Sequence, residues 1–222
     1  MGVNVGLRPK AAVSWSGGKD SYLALHRALP TFDVQALLTM FTEDGTRSRS
    51  HGLRPEVIAR QAQLLNLRLV TGRGSWTTYE EEFKRVLREL AGDCFSHVIF
   101  GDIFLDEHKA WVERVCRESG LDAVEPLWGE PTSSLFREFL ATGAEAQIVA
   151  SRAALFDQTW LGERLHEEML STFESLGVDA CGERGEYHTI VFGFPQMRSR
   201  LKLRETGRLM HDGYWMLDLE LA

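Results

Sequence analysis

The sequence predicts an α/β protein: a parallel sheet covered by helices, followed by a smaller α+β region. Three observations carry that prediction. Short apolar segments alternate with amphipathic helical periodicity over roughly the first half of the 222-residue chain, the rhythm of a parallel sheet with helices on both faces. A glycine-rich turn, Ser16-Gly17-Gly18-Lys19-Asp20-Ser21, joins the first apolar segment to the first helix. Past about Leu127 the rhythm changes, and the chain closes on alternating apolar and polar residues over 215–221, the pattern of a half-buried strand.

In order, residues 11–15 form the first strand, and Tyr22, Leu25 and Leu29 mark one face of the next helix until Pro30 stops it. Residues 34–39 read as a buried strand and 43–51 as a polar loop. Pro55 opens a helix with Val57, Ile58, Gln61, Ala62 and Leu65 on one side. A strand at 67–70, a helix carrying Phe83, Val86, Leu87 and Leu90, and a strand at 97–100 follow. Trp111, Val112, Val115 and Cys116 mark a further helix, stopped by Gly120. Beyond a boundary near 125–131, Pro131 starts a helix with Leu135, Phe136, Phe139 and Leu140. A strand at 146–150, a helix over 162–176 capped by Gly177, and strands at 190–194 and 199–204 are expected before the last one. Segment 215–221 is equally compatible with a partner inside the chain and with pairing across a homodimer. The division predicted is 1–128 and 129–222.

Apolar residues at 44% and charged residues at 26% describe a globular chain rather than a disordered or membrane-embedded one. No run approaches the roughly 18 apolar residues of a membrane span. The N-terminus shows no charged-then-apolar leader, so a cytoplasmic location is expected. A formal net charge of −7 argues against a broad electrostatic grip on nucleic acid. Two basic clusters, Arg47, Arg49 and Arg54, and Arg198, Arg200, Lys202, Arg204 and Arg208, read as solvated faces. Cys94, Cys116 and Cys181 make no C-x-x-C pair, which disfavours structural zinc or a redox dithiol. Trp76, Trp111, Trp160 and Trp215 read as packing residues, His51 as a polar loop histidine, and His108 and His166 as helical residues without a signal.

The glycine-rich turn is suited to phosphate. Gly17 and Gly18 tolerate positive φ and let the backbone close around an anion. The freed N–H groups and the helix N-terminus point at it, Lys19 adds a charge, and Ser16 and Ser21 add hydroxyls. It is not a Walker A loop, because Val13 stands where that motif needs its first glycine and Asp20 where it needs Ser or Thr. Asp20 then suits Mg²⁺ or the helix cap. Gly101-Asp102 follows another strand end, so the two meet at the carboxyl edge of the sheet. Gly101 permits close approach of a nucleotide there, and Asp102 suits Mg²⁺, a hydroxyl or an N-cap. A second constellation, Cys181-Gly182-Glu183-Arg184-Gly185-Glu186-Tyr187-His188-Thr189, packs two glycines, two acids and a histidine into nine residues. It reads either as a charged hairpin turn or as a ligand loop whose acids bind ammonium, bind a metal or act as bases.

The strand–Ser-Gly-Gly-Lys-Asp-Ser–helix unit resembles the pyrophosphate loop of N-type ATP pyrophosphatases. With Glu125-Pro126-Leu127-Trp128-Gly129 and the Cys181–Thr189 segment added, the chain resembles the diphthine–ammonia ligase family from Ala11 to about Leu203. Arg184 and His188 depart from the family, which tends to carry Gly and an acid there. The resemblance implies a HUP-like (Rossmann-like) ATP-binding domain at 1–128 and a family-specific substrate domain at 129–222. It implies ATP on Ser16, Gly17, Gly18, Lys19, Asp20 and Ser21, flanked by Gly101 and Asp102. Trp128, Glu183, Gly185, Glu186 and His188 would line the acceptor pocket.

The activity implied is ATP-dependent adenylation of a substrate carboxylate followed by transfer of ammonia, with Mg²⁺ as cofactor. Glu183, Glu186 and His188 compete for the role of base. The carboxylate is a small metabolite or a diphthine-bearing elongation factor, and ammonia comes from solution or a partner. A tRNA-modifying ATP pyrophosphatase and a non-catalytic ATP-binding protein are the alternatives.

Overall fold

A computed structural model describes residues 7–222. Residues 1–6, which the expected ATP-binding part and the leader-free N-terminus include, lie outside the described residues. Strands β1 (Lys10–Ser14), β2 (Asp33–Phe41), β3 (Arg68–Arg73), β4 (His97–Ile99) and β5 (Asp122–Val124) form a parallel sheet in the order β3-β2-β1-β4-β5. The chain steps outward from β1 to β3, then returns to the other side for β4 and β5. The crossover direction therefore reverses between β1 and β4, where sheets of this kind bind ligands.

The strands bury both faces, so their residues divide by period two. Ala11 and Val13 of β1 face a core with Tyr22, Leu23 and Leu25 of α1 (Lys19–Ala28) and Val57 and Ile58 of α2 (Pro55–Leu65). Ala12 faces the opposite core, built with Phe83, Val86, Leu87 and Leu90 of α3 (Tyr79–Gly92) and Val112, Val115 and Cys116 of α4 (Asp106–Glu118).

After α5 (Thr132–Ala141), strands β6 (Glu145–Arg152), β7 (Tyr187–Gly193), β8 (Leu203–His211) and β9 (Tyr214–Leu221) make an antiparallel sheet in the order β7-β6-β9-β8. Its inward residues, among them Ile148, Ile190, Val191 and Leu217, belong to the same buried cluster as α1 and α2. The second sheet thus caps the α1–α2 side of the first through a continuous core.

Several elements depart from expectation. β5 is an additional three-residue strand, too short to show a period. Only Met169–Leu176 of the expected 162–176 helix is helical (α6). The preceding residues instead lie beside β6, where Gly162 and Leu165 donate to the carbonyls of Ile148 and Ala146 at 2.9 Å each. The strand expected at 199–204 begins at Leu203 and runs to His211. It turns back through Asp212 and Gly213, at φ 48° and 80°, the left-handed pair of a primed hairpin turn. The last strand is β9, paired within the chain to β6 on one side and β8 on the other. β8 pairs with it along its whole length and β6 at Tyr214–Met216, so the strand has partners inside the chain. Among the described residues no helix is long and apolar enough to cross a membrane.

Candidate active site

The glycine-rich turn leaves β1 at the switch point and is held by both sheets. Gly17 adopts φ 84°, a conformation glycine takes without strain. Gly18 is extended, and a Cβ there would lie 2.4 Å from Cε1 of His51. Gln61, fully buried on α2, accepts from Trp15 Nε1 at 2.9 Å and donates to the carbonyls of Gly17 and Val191 at 3.1 and 2.7 Å. From β7, Thr189 Oγ1 accepts from the Lys19 N–H at 3.1 Å, and the Val191 N–H donates to the Gly17 carbonyl at 2.9 Å. Ser21 Oγ donates to the Gly18 carbonyl at 3.0 Å.

Lys19 is 2% exposed. Its ammonium lies 2.8 Å from Asp20 Oδ2 and donates to the Cys181 carbonyl. Burial opposes the charge most strongly, but Asp20, Tyr187 and Cys181 together outweigh it and hold the lysine protonated. With three N–H donors and two engaged, one remains for a ligand.

The Cys181–Thr189 segment is fastened by two acids. Asp179 Oδ1 accepts from the N–H groups of Cys181 and Glu183 at 3.0 and 3.1 Å. The buried Glu186 carboxylate accepts from the N–H groups of Asp179 and Arg184 at 3.3 and 3.0 Å. Tyr187 donates its hydroxyl to the Ala180 carbonyl at 2.6 Å. This frame presents Glu183 to the β4–α4 loop, where it accepts from the Ile103 N–H at 2.9 Å. Burial pushes the Glu183 carboxyl up to about 7 against the pull of that N–H, with Asp20 and Asp102 adding to the rise.

His188 packs against His51, ring centroids 4.8 Å apart and the rings tilted by 33°. Burial, with Lys19 and Arg152 nearby, lowers His188 to about 4, and burial and His188 hold His51 well below its ordinary value. Both rings are neutral at pH 7. His51 Nδ1 lies 2.8 Å from the Thr189 carbonyl; a carbonyl only accepts, so Nδ1 carries the hydrogen and Nε2 is an acceptor.

These groups surround a pocket of about 230 Å³. Ser16, Lys19, Asp20, Ser21, Gly101, Asp102, Glu183 and His188 line it, which brings together eight of the residues singled out from sequence. Gly17 and Gly18 shape the turn from behind. Trp128, Gly185 and Glu186 do not line the pocket. Trp128 lies under the Lys109 ammonium at 4.4 Å, Gly185 offers its carbonyl to the Tyr214 hydroxyl at 2.8 Å, and Glu186 is committed to backbone. Gly101 also packs closely on the chain behind it. A Cβ there would meet the backbone of Asp20 and Ser21 at 2.9–3.0 Å, so its close approach is to the start of α1.

His51 and His108 are lining residues that the sequence left unassigned. His108 Nδ1 lies 3.4 Å from Asp102 Oδ1 and its value is raised by that contact. Arg47 and Arg54, partly exposed, pair with Asp218 at 2.5 and 2.6 Å. Trp76 is 83% exposed, not a packing residue.

Among the described residues no three His, Cys, Asp or Glu side chains converge as a metal site. A Mg²⁺ that keeps water and phosphate oxygens needs only one or two carboxylates. Asp20, 27% exposed at its side chain and with Oδ1 unengaged by Lys19, fits that requirement.

The fold and the site define the class: a doubly wound α/β protein with a glycine-rich strand-to-helix turn at its switch point. A model of the diphthamide synthase N-terminal domain matches residues 9–123, and one of the diphthamide synthase C-terminal domain matches residues 131–221. The chain belongs to the diphthamide synthase family. It is 30% identical to the diphthine–ammonia ligase of Rattus norvegicus over 118 residues, 51% of this chain and 44% of that protein. It is 25% identical to that of Schizosaccharomyces pombe over 219 residues, 88% and 36% of the two. The Danio rerio ligase is 30% identical over 132 residues, 58% and 51%. The matches span about half or less of the length of these relatives. A solved structure described as a predicted subunit of tRNA methyltransferase from Methanocaldococcus jannaschii aligns over 84% of this chain and 98% of its own, at 17% identity and a TM-score of 0.44.

Proposed function

We propose that the chain is an ATP-dependent amide-forming ligase, with 1–128 binding ATP and 129–222 completing the acceptor side. The observation that carries this reading is the meeting, in one pocket, of the anion turn with Glu183, an acid held near neutrality. ATP places its β- and γ-phosphates on the turn, against the Lys19 ammonium and the N-terminus of α1. Asp20 would hold a Mg²⁺ ion, which would supply positive charge against the phosphates.

A substrate carboxylate oxygen attacks the α-phosphorus, the α–β bridging P–O bond breaks, and pyrophosphate leaves. Donors fixed in advance at the turn stabilise the developing charge, commonly the largest catalytic contribution. Ammonia then attacks the acyl carbon, AMP departs, and Glu183 takes the proton that ammonia loses. Glu183 is preferred to Glu186, whose oxygens are committed to backbone, and to His188, which is a weak base at about 4. The name of the relatives makes diphthine on an elongation factor the first acceptor to try, with small carboxylic acids beside it.

The test is exchange of labelled pyrophosphate into ATP, without ammonia, in the presence of each acceptor. Acceptor-dependent exchange that Lys19→Ala reduces at least about 100-fold is the expected result. Exchange that survives Lys19→Ala would remove the turn from the reaction.

A further inference from the structure

A side pocket of about 450 Å³ opens off the phosphate-turn pocket and plays no part in the steps above. Ser14, Ser50, Tyr79, Asp102 and His108 line both, so the two are continuous. Beyond that shared rim the walls are Arg49, Trp76 and Trp111, over an apolar floor of Phe83, Phe100 and Val112. The guanidinium carbon of Arg49 sits 3.8 Å from the centre of the Trp76 ring and 5.9 Å from that of Tyr79. Stacking of this kind occupies the flat face of a guanidinium and leaves its N–H groups free in the plane.

Those N–H groups have nowhere to go. Arg49 Nε and Nη2 are both removed from solvent, and among the described residues neither finds an acceptor. The carboxylates nearby are engaged elsewhere. Glu80 accepts from Trp111 Nε1 at 2.9 Å and pairs with Arg114 and Lys84, while Asp102 faces His108. A buried, charged donor without a partner is costly, so Arg49 is built for an acceptor that arrives with a ligand. Nε and Nη2 share one edge of the guanidinium, the edge that matches the two oxygens of a carboxylate. A purine base of the adenine type offers an acceptor next to a donor on its edge and would satisfy only half of this pair. Trp76, otherwise exposed, forms one wall over the ligand.

We propose that this side pocket holds the body of the acid activated at the phosphate turn, with Arg49 clamping a second carboxylate of that substrate and the Trp76, Tyr79 and Trp111 rings covering its carbon frame. The substrate class is then an acid with two carboxylates, one activated and one clamped; diphthine, with a single carboxylate and a cationic ammonium group, lacks the second, so of the acceptors named above the clamp selects the small acids. The assignment rests on the ligase reading only for which of the two carboxylates reacts.

The test is direct binding of phthalate, a rigid aromatic dicarboxylate, to the full chain without ATP, followed by tryptophan fluorescence. Benzoate serves as the single-carboxylate control. Saturable quenching by phthalate, at least about tenfold tighter than by benzoate, is expected. Arg49→Gln and Arg49→Lys should both lose about tenfold or more in phthalate affinity with unchanged unfolding midpoints, since Lys restores the charge but not the two-donor edge. No saturable response to phthalate, equal binding by the variants, or competitive displacement of phthalate by ATP would overturn the proposal. Lys19→Ala separates the two readings. It should abolish ATP binding and leave phthalate binding intact, whereas ATP binding that persists in Lys19→Ala would defeat the phosphate-turn reading and leave the phthalate results to decide this one.

Discussion

Glu183 and Glu186 stand three positions apart in a loop rich in glycine, and their surroundings separate them completely. Glu186 is closed in by two backbone N–H donors and holds the loop shape, a structural task. Burial and two neighbouring carboxylates raise Glu183 from 4.5 to about 7 against the single N–H it accepts from. A base must be ionised to accept a proton, so at constant free ammonia the amide-forming rate should climb with pH and level off above about 7. Glu183→Gln should remove that inflection and slow the step about 100-fold or more. The same shift acts on stability. Between pH 4.5 and about 7 the folded state binds the proton more tightly than the unfolded chain, so this residue makes stability fall as pH rises through that window. Urea titrations of the wild type and Glu183→Gln should diverge there and converge below it. From sequence the two acids were indistinguishable, because what separates them is the direction each side chain takes in a turn closed by Asp179.

At the scale of elements, the glycine-rich turn was readable because its residues are contiguous: strand, two glycines, lysine and helix follow one another in the chain. What holds it was half readable. Gln61 lies on the apolar side of α2, and a polar residue in such a stripe signals a buried partner, but not that the partners are Trp15, Gly17 and Val191. Gln61→Leu would leave the Trp15 N–H and the Val191 carbonyl unpaired. The expected cost is about 2–4 kcal/mol in urea unfolding, with weaker ATP binding because the turn loses its brace to α2. A variant within about 0.5 kcal/mol of wild type would show that water replaces those bonds. β5 is too short for a period, and β8 is an edge strand exposed along nearly its whole length, so neither carried an apolar pattern. The 162–176 stretch looked helical because its polar first half carries no strand alternation; its backbone is satisfied by β6 instead.

At the scale of the molecule, two sheets share one core, and the glycine-rich turn is finished by residues from both. Asp218 on β9 adds a polar tie, accepting from Arg47 and Arg54 ahead of α2 and from Thr206 on β8. Arg54, with Arg47 and Thr206 beside it, holds the Asp218 carboxyl well below the ordinary carboxylate range despite partial burial. That stabilisation is present above the ordinary value near 3.8 and is lost as pH falls below it. Asp218→Asn should cost about 1–2 kcal/mol at pH 7 and flatten the acid limb of the stability curve. Because the core is continuous, tryptophan fluorescence and far-ultraviolet circular dichroism should report a single coincident transition. The reaction itself is tested most directly by ³¹P NMR of ATP consumed with ammonium and the acceptor that supports exchange. AMP and pyrophosphate in equal amounts, absent with Lys19→Ala, is the result predicted for attack at the α-phosphorus; ADP and inorganic phosphate would contradict it.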